Sequence, residues 1–162
     1  MSTNIDFHNK YKEYGEMLYR IAFVLLGNTD DTEDILQEVF ITFLYNSPEF
    51  KTKEHEKAWL IRITQNKCIN LLKSSSKKSV SIDELQLPTY SENNEEKIDI
   101  VKNILSLPHK YKTAVILYYY NDYSVEEIAK ILKISKSAVK MRLKRAREIL
   151  KIELEDYNYE EK

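Results

Sequence analysis

Ser124-Val125-Glu126-Glu127-Ile128-Ala129-Lys130-Ile131-Leu132-Lys133-Ile134-Ser135-Lys136-Ser137-Ala138-Val139-Lys140-Met141-Arg142-Leu143-Lys144-Arg145-Ala146-Arg147 is the stretch that decides the fold. Ser124 and Glu127 stand three apart ahead of an apolar run, the spacing of a capping box. In that motif the hydroxyl and the carboxylate each satisfy a backbone group at a helix start. Ile128, Ala129 and Leu132 give a short amphipathic helix, and Lys133-Ile134-Ser135 interrupts it. Val139, Leu143 and Ala146 then mark one face of a longer, strongly basic helix. Two short helices joined by a tight turn, the second basic, form the helix-turn-helix pattern. Ala129 falls where the helices approach most closely, and Ile134, Val139 and Leu143 lock the second onto the first. Ser135 caps the second helix and leaves Lys136, Ser137, Ala138, Lys140, Met141, Lys144 and Arg145 on or beside its outer surface. Lys and Arg reach guanine acceptors or phosphates, Ser reads either kind of group, and Ala or Met touches a thymine methyl. Lys133 fills the turn position where glycine is common.

Charge outside this stretch is just as uneven. The 162-residue chain balances 25 Lys+Arg against 26 Asp+Glu for a net charge of -1. Yet Lys130 to Lys151 holds nine cations and one acid, and Arg62 to Lys78 holds five cations and no acid. Compensating acid is gathered at Asp30 to Glu38, at Asp83 to Asp99 and in the tail from Glu153. Solvated helix faces would intersperse the signs. Two basic surfaces with an acidic spacer point to a polyanion gripped at two places. The two acidic stretches flanking the basic helix are also placed to compete with phosphate for it.

Composition excludes other classes. With only two glycines, Gly15 and Gly27, no glycine-rich phosphate cradle or dinucleotide turn can form. Cys68 is alone, so no internal disulfide exists, and on an apolar stripe it reads as a small core residue. His8, His55 and His109 lie about 50 residues apart with no second ligand at helical spacing, so neither a metal nor another cofactor is expected. No nucleophile and base occur at usable spacing, which argues against an enzyme with a small-molecule substrate. No run of about 18 apolar residues and no signal peptide are visible, so the expected compartment is the cytoplasm.

The first half is helical by the same periodicity: Leu18, Ile21, Ala22 and Leu25; Ile35, Leu36, Val39, Phe40 and Phe43; Trp59, Leu60, Ile63, Cys68, Ile69 and Leu72. Gly27-Asn28-Thr29-Asp30 stops one helix and caps the next, and Asn46-Ser47-Pro48 ends that one. Residues 74–95, polar and acidic, have little to bury and read as a flexible linker. A helix near Lys97 to Ser106 follows. Pro108 opens another that runs to about Tyr120, and Asn121-Asp122-Tyr123 makes a turn. Tyr118, Tyr119 and Tyr120 read as structural. The expectation is an all-α chain of two small helical domains, residues 1–73 and 96–162, joined by a flexible linker, the C-terminal one a helix-turn-helix. Residue patterns alone still allow a dimeric helix-turn-helix regulator or a helical protein adaptor.

Larger blocks narrow this. Tyr19-Arg20-Ile21-Ala22, Leu25-Leu26-Gly27-Asn28, Asp31 to Phe40 and Ala58-Trp59-Leu60-Ile61-Arg62 through Asn70 resemble region 2 of bacterial sigma factors. Leu107-Pro108-His109-Lys110-Tyr111-Lys112 and Tyr123 through Arg147 resemble region 4. With those two regions and a short linker, the chain resembles an extracytoplasmic-function (ECF) sigma factor from about residue 7 to residue 152. The resemblance implies that core RNA polymerase, through its β′ coiled coil and β flap, and promoter DNA are the partners, with an anti-sigma factor as restraint. It implies docking of the β′ coiled coil through Asp31, Asp34, Gln37, Glu38 and Phe40. It implies opening of the minus-ten element by Phe50, Lys53, Arg62, Asn66, Asn70 and Lys73. Reading of the minus-thirty-five element falls to Ser135, Lys136, Ser137, Ala138, Lys140, Met141, Lys144 and Arg145. Trp59 reads as core packing rather than base stacking. Gln65 and Asn70 stand where many relatives have Arg and Asp.

Overall fold

The structure of the protein, a computed structural model, describes residues 2–74 and 103–150. Nearly all of the expected linker, the start of the helix at Lys97 and the acidic tail lie outside the described residues. The chain divides into two compact units between Thr89 and Tyr90. Among the described residues every regular element is helical.

The first unit holds α1 (Ser2–Leu26), α2 (Thr29–Asn46) and α3 (Lys53–Ser74), each packed on the other two. Gly27 ends α1 at φ 84°, a left-handed conformation open to a residue without Cβ. Asn28 is the cap of α2: its Oδ1 accepts the Asp31 N–H at 2.8 Å and its Nδ2 donates to the Asp31 carboxylate at 3.1 Å. Leu18, Ile21, Ala22, Val39, Phe40, Leu60, Ile61 and Cys68 are fully buried. Burial pushes the Cys68 thiol up to about 12, so it is an inert core residue.

Helix α3 differs from its sequence reading. Its buried stripe is Leu60, Ile61, Thr64 and Cys68, whereas Trp59 and Ile63 are only half-buried. The helix carries apolar residues on two faces, and periodicity alone does not say which one meets the bundle. Its start is tied to α1 by a buried knot in which Glu56 Oε1 accepts from the Tyr14 hydroxyl at 2.8 Å and from Lys10 Nζ at 2.9 Å. Burial, and then the Glu56 carboxylate beside it, push the Tyr14 hydroxyl above its ordinary range. Ser74, expected in the linker, is the last residue of α3.

In the second unit, residues 103–105 end a helix whose Ile104 is fully buried. Pro108 occupies the cap position of α4 (His109–Val115), where a residue without N–H loses nothing. The helical path continues as a π-helical turn over Ile116–Tyr120, whose first carbonyl accepts the Asn121 N–H at 3.2 Å. Lys112 to Leu117 are six consecutive buried residues, so this helix is covered all round rather than on one stripe. That is how Lys112 comes to be buried. Then come α5 (Val125–Leu132) and α6 (Lys136–Leu150), both packed into the unit through Ile128, Ala129, Val139, Leu143 and Ala146. The capping box of α5 is complete, with the Glu127 N–H 3.0 Å from Ser124 Oγ and the Ser124 N–H 2.8 Å from Glu127 Oε1.

Two tight corners are left-handed without glycine: Asp122 and Lys133, each at φ 61°. A side chain in that region costs about 1–2 kcal/mol, partly offset by the unfolded-state entropy that glycine would add. Lys133→Gly therefore raises the unfolding free energy of the second unit by about 0.5–1 kcal/mol, read as a higher urea midpoint at unchanged slope.

Burial lowers the Lys112 ammonium to about 8. Between that value and about 10.4, the ordinary unfolded value, the unfolded chain binds more protons, so the contribution of this residue to stability rises with pH. Below about pH 8 the full cost of burying the charge is present. Lys112→Met is expected to stabilise the protein by roughly 2–3 kcal/mol at pH 7. The advantage shrinks by pH 9.5, as paired urea titrations of the two proteins will show.

Candidate nucleic-acid interface

Helix starts in this chain differ in their charge. Acidic residues occupy the first turns of α2 (Asp30, Asp31), α3 (Glu54, Glu56) and α5 (Glu126, Glu127), where the positive end of the helix dipole favours them. The first turn of α6 has no acid and begins with Lys136. Ser135 caps it, its Oγ accepting the Ala138 N–H at 3.0 Å. Val139, Leu143 and Ala146 turn inward, leaving Ser135, Lys136, Ser137, Lys140, Met141, Lys144 and Arg145 exposed and Ala138 half-buried. Among the described residues, no carboxylate lies within ion-pair distance of Lys136, Lys140, Lys144 or Arg145. Cations stacked on a helix N-terminus weaken the helix and at the same time concentrate positive potential where an anion would bind.

Arg147 is placed differently. Its Nη1 donates to the Tyr119 hydroxyl at 3.2 Å, and Tyr119 meets Tyr118 edge-on at 4.9 Å between ring centroids. The tyrosine run, half-buried, thus holds the end of α6, in keeping with its structural reading.

On α3, Arg62, Asn66, Asn70 and Lys73 share one side of the helix, opposite Leu60, Thr64 and Cys68. Asn66, Asn70 and Lys73 are exposed and Arg62 is half-buried. Phe50, on the loop before α3, stacks on Phe43 at 6.2 Å and 13°, and meets Trp59 at 5.6 Å and 62° and His55 at 5.2 Å and 89°. Trp59, expected in the core, belongs instead to this outer aromatic cluster. Lys53 pairs with Glu13 at 2.8 Å, and that contact raises its ammonium above the ordinary value while lowering the Glu13 carboxyl. Its charge braces α3 against α1.

On α2, Asp34, Gln37 and Glu38 are exposed, and Asp31 is half-buried in the cap. Phe40, expected on the docking surface, is fully buried with its ring against Phe7 at 5.8 Å and Tyr11 at 5.0 Å. Its place outside is taken by two residues absent from the sequence-based set, Ile41 at 53% exposure and Tyr45 at 74%. Once Ile35, Leu36, Val39 and Phe40 are assigned inward, the outer series Asp34, Gln37, Glu38, Ile41, Tyr45 remains at helical spacing, so the signal was present.

The family model for Sigma-70 region 2 matches residues 11–78, and that for Sigma-70, region 4 matches residues 99–150. The chain is 32% identical over 144 residues to the RNA polymerase sigma factor SigV of Bacillus subtilis (strain 168), spanning 88% of this chain and 87% of that relative. Against the ECF RNA polymerase sigma factor SigW of the same organism it is 31% identical over 160 residues, spanning 88% and 86%. The chain belongs to the ECF sigma-factor family. It is a DNA-binding protein of transcription initiation that acts with RNA polymerase. Two solved structures share the fold of this sigma factor at 22% identity. One is the sigma factor RpoE in complex with the anti-sigma factor NepR from Bartonella quintana, at TM-score 0.70 over 90% of this chain and 94% of that one. The other is CnrH in complex with the cytosolic domain of CnrY, at 0.65 over 90% and 84%. The region 2 match takes in α1 from Tyr11 onward with all of α2 and α3, and the region 4 match contains α4 to α6.

The two arginine-lysine environments on α6 separate structure from contact. Arg147→Ala lowers the stability of the second unit by about 1–2 kcal/mol, by loss of a partly buried charged hydrogen bond. Lys144→Ala changes it by less than about 0.5 kcal/mol. Urea melts of the two variants give the comparison.

Proposed function

We propose that this sigma factor engages its partners through three faces. The outer face of α2, Asp34, Gln37, Glu38, Ile41 and Tyr45 with Asp31 at its head, docks the β′ coiled coil of core RNA polymerase. The outer side of α3, Arg62, Asn66, Asn70 and Lys73, with Phe50 and its aromatic neighbours, opens the minus-ten element. Ser135 to Arg145 on α6 reads the minus-thirty-five element, and the second unit also meets the β flap. The functional domains are residues 1–74 and 96–162, on either side of a 75–95 linker. The observation that carries this reading is the segregation of charge: an exposed acidic and apolar face on α2, and uncompensated cations on α6. Acid beside exposed apolar side chains suits a basic partner helix, and bare cations at a capped helix start suit phosphate. Phe40 supports the α2 face from within, and Lys53 serves α3 through Glu13.

The protein catalyses nothing itself and works in the cytoplasm, where the polymerase supplies the metal chemistry. The NepR complex of RpoE is the model for its regulation: an anti-sigma factor holds it until released.

Run-off transcription with purified core polymerase tests the whole. Promoter-specific transcripts are expected only with the protein present, and a ladder unchanged by its addition would sink the reading. In the same assay, Ile41→Asp with Tyr45→Asp abolishes transcripts and co-elution with polymerase while leaving duplex binding intact. Lys144→Ala lowers the slope of log affinity against log salt by about one unit.

A further inference from the structure

Between the first turn of α4 and the outer face of α6 runs an open groove lined by Lys110, Tyr111, Ala138, Met141, Arg142 and Arg145. Its floor is carbon, supplied by the Tyr111 ring, the Ala138 methyl, Met141 and the stems of the long basic residues. Its rim is cationic. Arg142 is steadied by donating from Nη1 to the Lys110 carbonyl at 3.4 Å, and Lys110 Nζ lies 5.3 Å from the centre of the Tyr111 ring. Arg145 has no carboxylate partner among the described residues, and Met141 is 56% exposed. DNA phosphates satisfy such a rim and leave most of such a floor uncovered. A segment that alternates carboxylates with aromatic or aliphatic side chains covers both.

The chain carries one immediately after α6: Glu153-Leu154-Glu155-Asp156-Tyr157-Asn158-Tyr159-Glu160-Glu161, with five acids, two tyrosines and a leucine in nine residues. Reach is sufficient. From Leu150 back to Ala138 is twelve residues of helix, about 18 Å, and seven extended residues span roughly 23 Å. A tether this short also sets a millimolar effective concentration. The acidic stretch Asp83 to Asp99 is more dilute, with six acids in seventeen residues and Leu85, Leu87, Tyr90 and Ile98 spread among them.

We propose that this groove seats the chain's own acidic segment Glu153–Glu161, which covers the reading face of α6 in the free protein and is displaced by promoter DNA. The functional consequence rests on the assignment of α6 to DNA above; the contact itself does not. If the segment occupies the groove about nine-tenths of the time, apparent affinity for duplex falls about tenfold. Salt removes the difference, since the rim contacts are solvent-exposed.

The test compares the full-length protein with a full-length variant carrying Glu155→Gln, Asp156→Asn, Tyr157→Ser and Tyr159→Ser. Two quantities are read: the methyl NMR signal of Met141, and the affinity for a random duplex at low and high salt. The Met141 signal is expected to move in the variant and to return when a synthetic peptide of residues 151–162 is added. Duplex affinity is expected to tighten about tenfold at low salt and hardly at all at high salt. A stationary Met141 signal overturns the seat even if affinity tightens, because that pattern is diffuse charge repulsion. A signal that moves only with protein concentration means a second copy fills the groove, and also overturns it. A Met141 shift with no duplex binding by either protein upholds the seat and removes the DNA reading of α6. Unchanged Met141 with normal duplex binding removes the seat and keeps that reading.

Discussion

Helix α6 has to stay folded while keeping its positive charge unneutralised. Lys136, Lys140 and Lys144 repeat at four-residue intervals, and each such like-charge neighbour costs a few tenths of a kcal/mol. The missing acid in its first turn forgoes a similar amount. On the other side stand Val139 and Leu143, both buried, each contributing about 1.5–3 kcal/mol. Burial wins, but only within the unit: an isolated helix of this length and charge would be marginal in water. The rest of the second unit, with a helical path buried from Lys112 to Leu117 and a capped α5, is the support that lets a basic helix face outward.

The first unit solves a matching problem with the opposite sign. Its helices bury Leu18, Ile21, Val39, Phe40, Leu60 and Ile61 so completely that the outer face of α2 is free to combine acids with Ile41 and Tyr45. Long-range polar ties then fix α3. Glu56 gathers Tyr14 and Lys10, and Glu13 takes Lys53. These ties aim the loop carrying Phe50, whose ring is braced by Phe43 and Trp59.

Much of this was legible in the residues. The capping box of Ser124 and Glu127, the Ser135 cap and the 139/143/146 stripe follow from local rules, because their partners lie within one or two turns. What escaped involves partners far along the chain or a choice between faces. The ion pair of Lys53 has no local signal, because Glu13 is forty residues earlier. Trp59 looked like core because α3 has two apolar stripes and only packing selects between them. Phe40 and Ile41 are neighbours on α2, and their 100° separation sends one inward and one out, a distinction that turns on the exact phase of the helix. Arg147 joined the basic set by composition, and Tyr119 removes it from the free cations. The π-helical turn at Ile116–Tyr120 has no local signature in this sequence.

Glycine scarcity links these observations. With only Gly15 and Gly27 available, the corners at Asp122 and Lys133 are made by residues that resist them, one on each side of α5. The buried ammonium of Lys112 weakens the same unit. Strain, a buried charge and like-charge repulsion are therefore concentrated where α6 is held, while the first unit carries its left-handed corner on Gly27. Whatever places negative charge against α6 relieves the repulsion, and by linkage stabilises the folded second unit in proportion to how tightly it binds. A helix-turn-helix built this way holds its shape most firmly when its basic face is occupied.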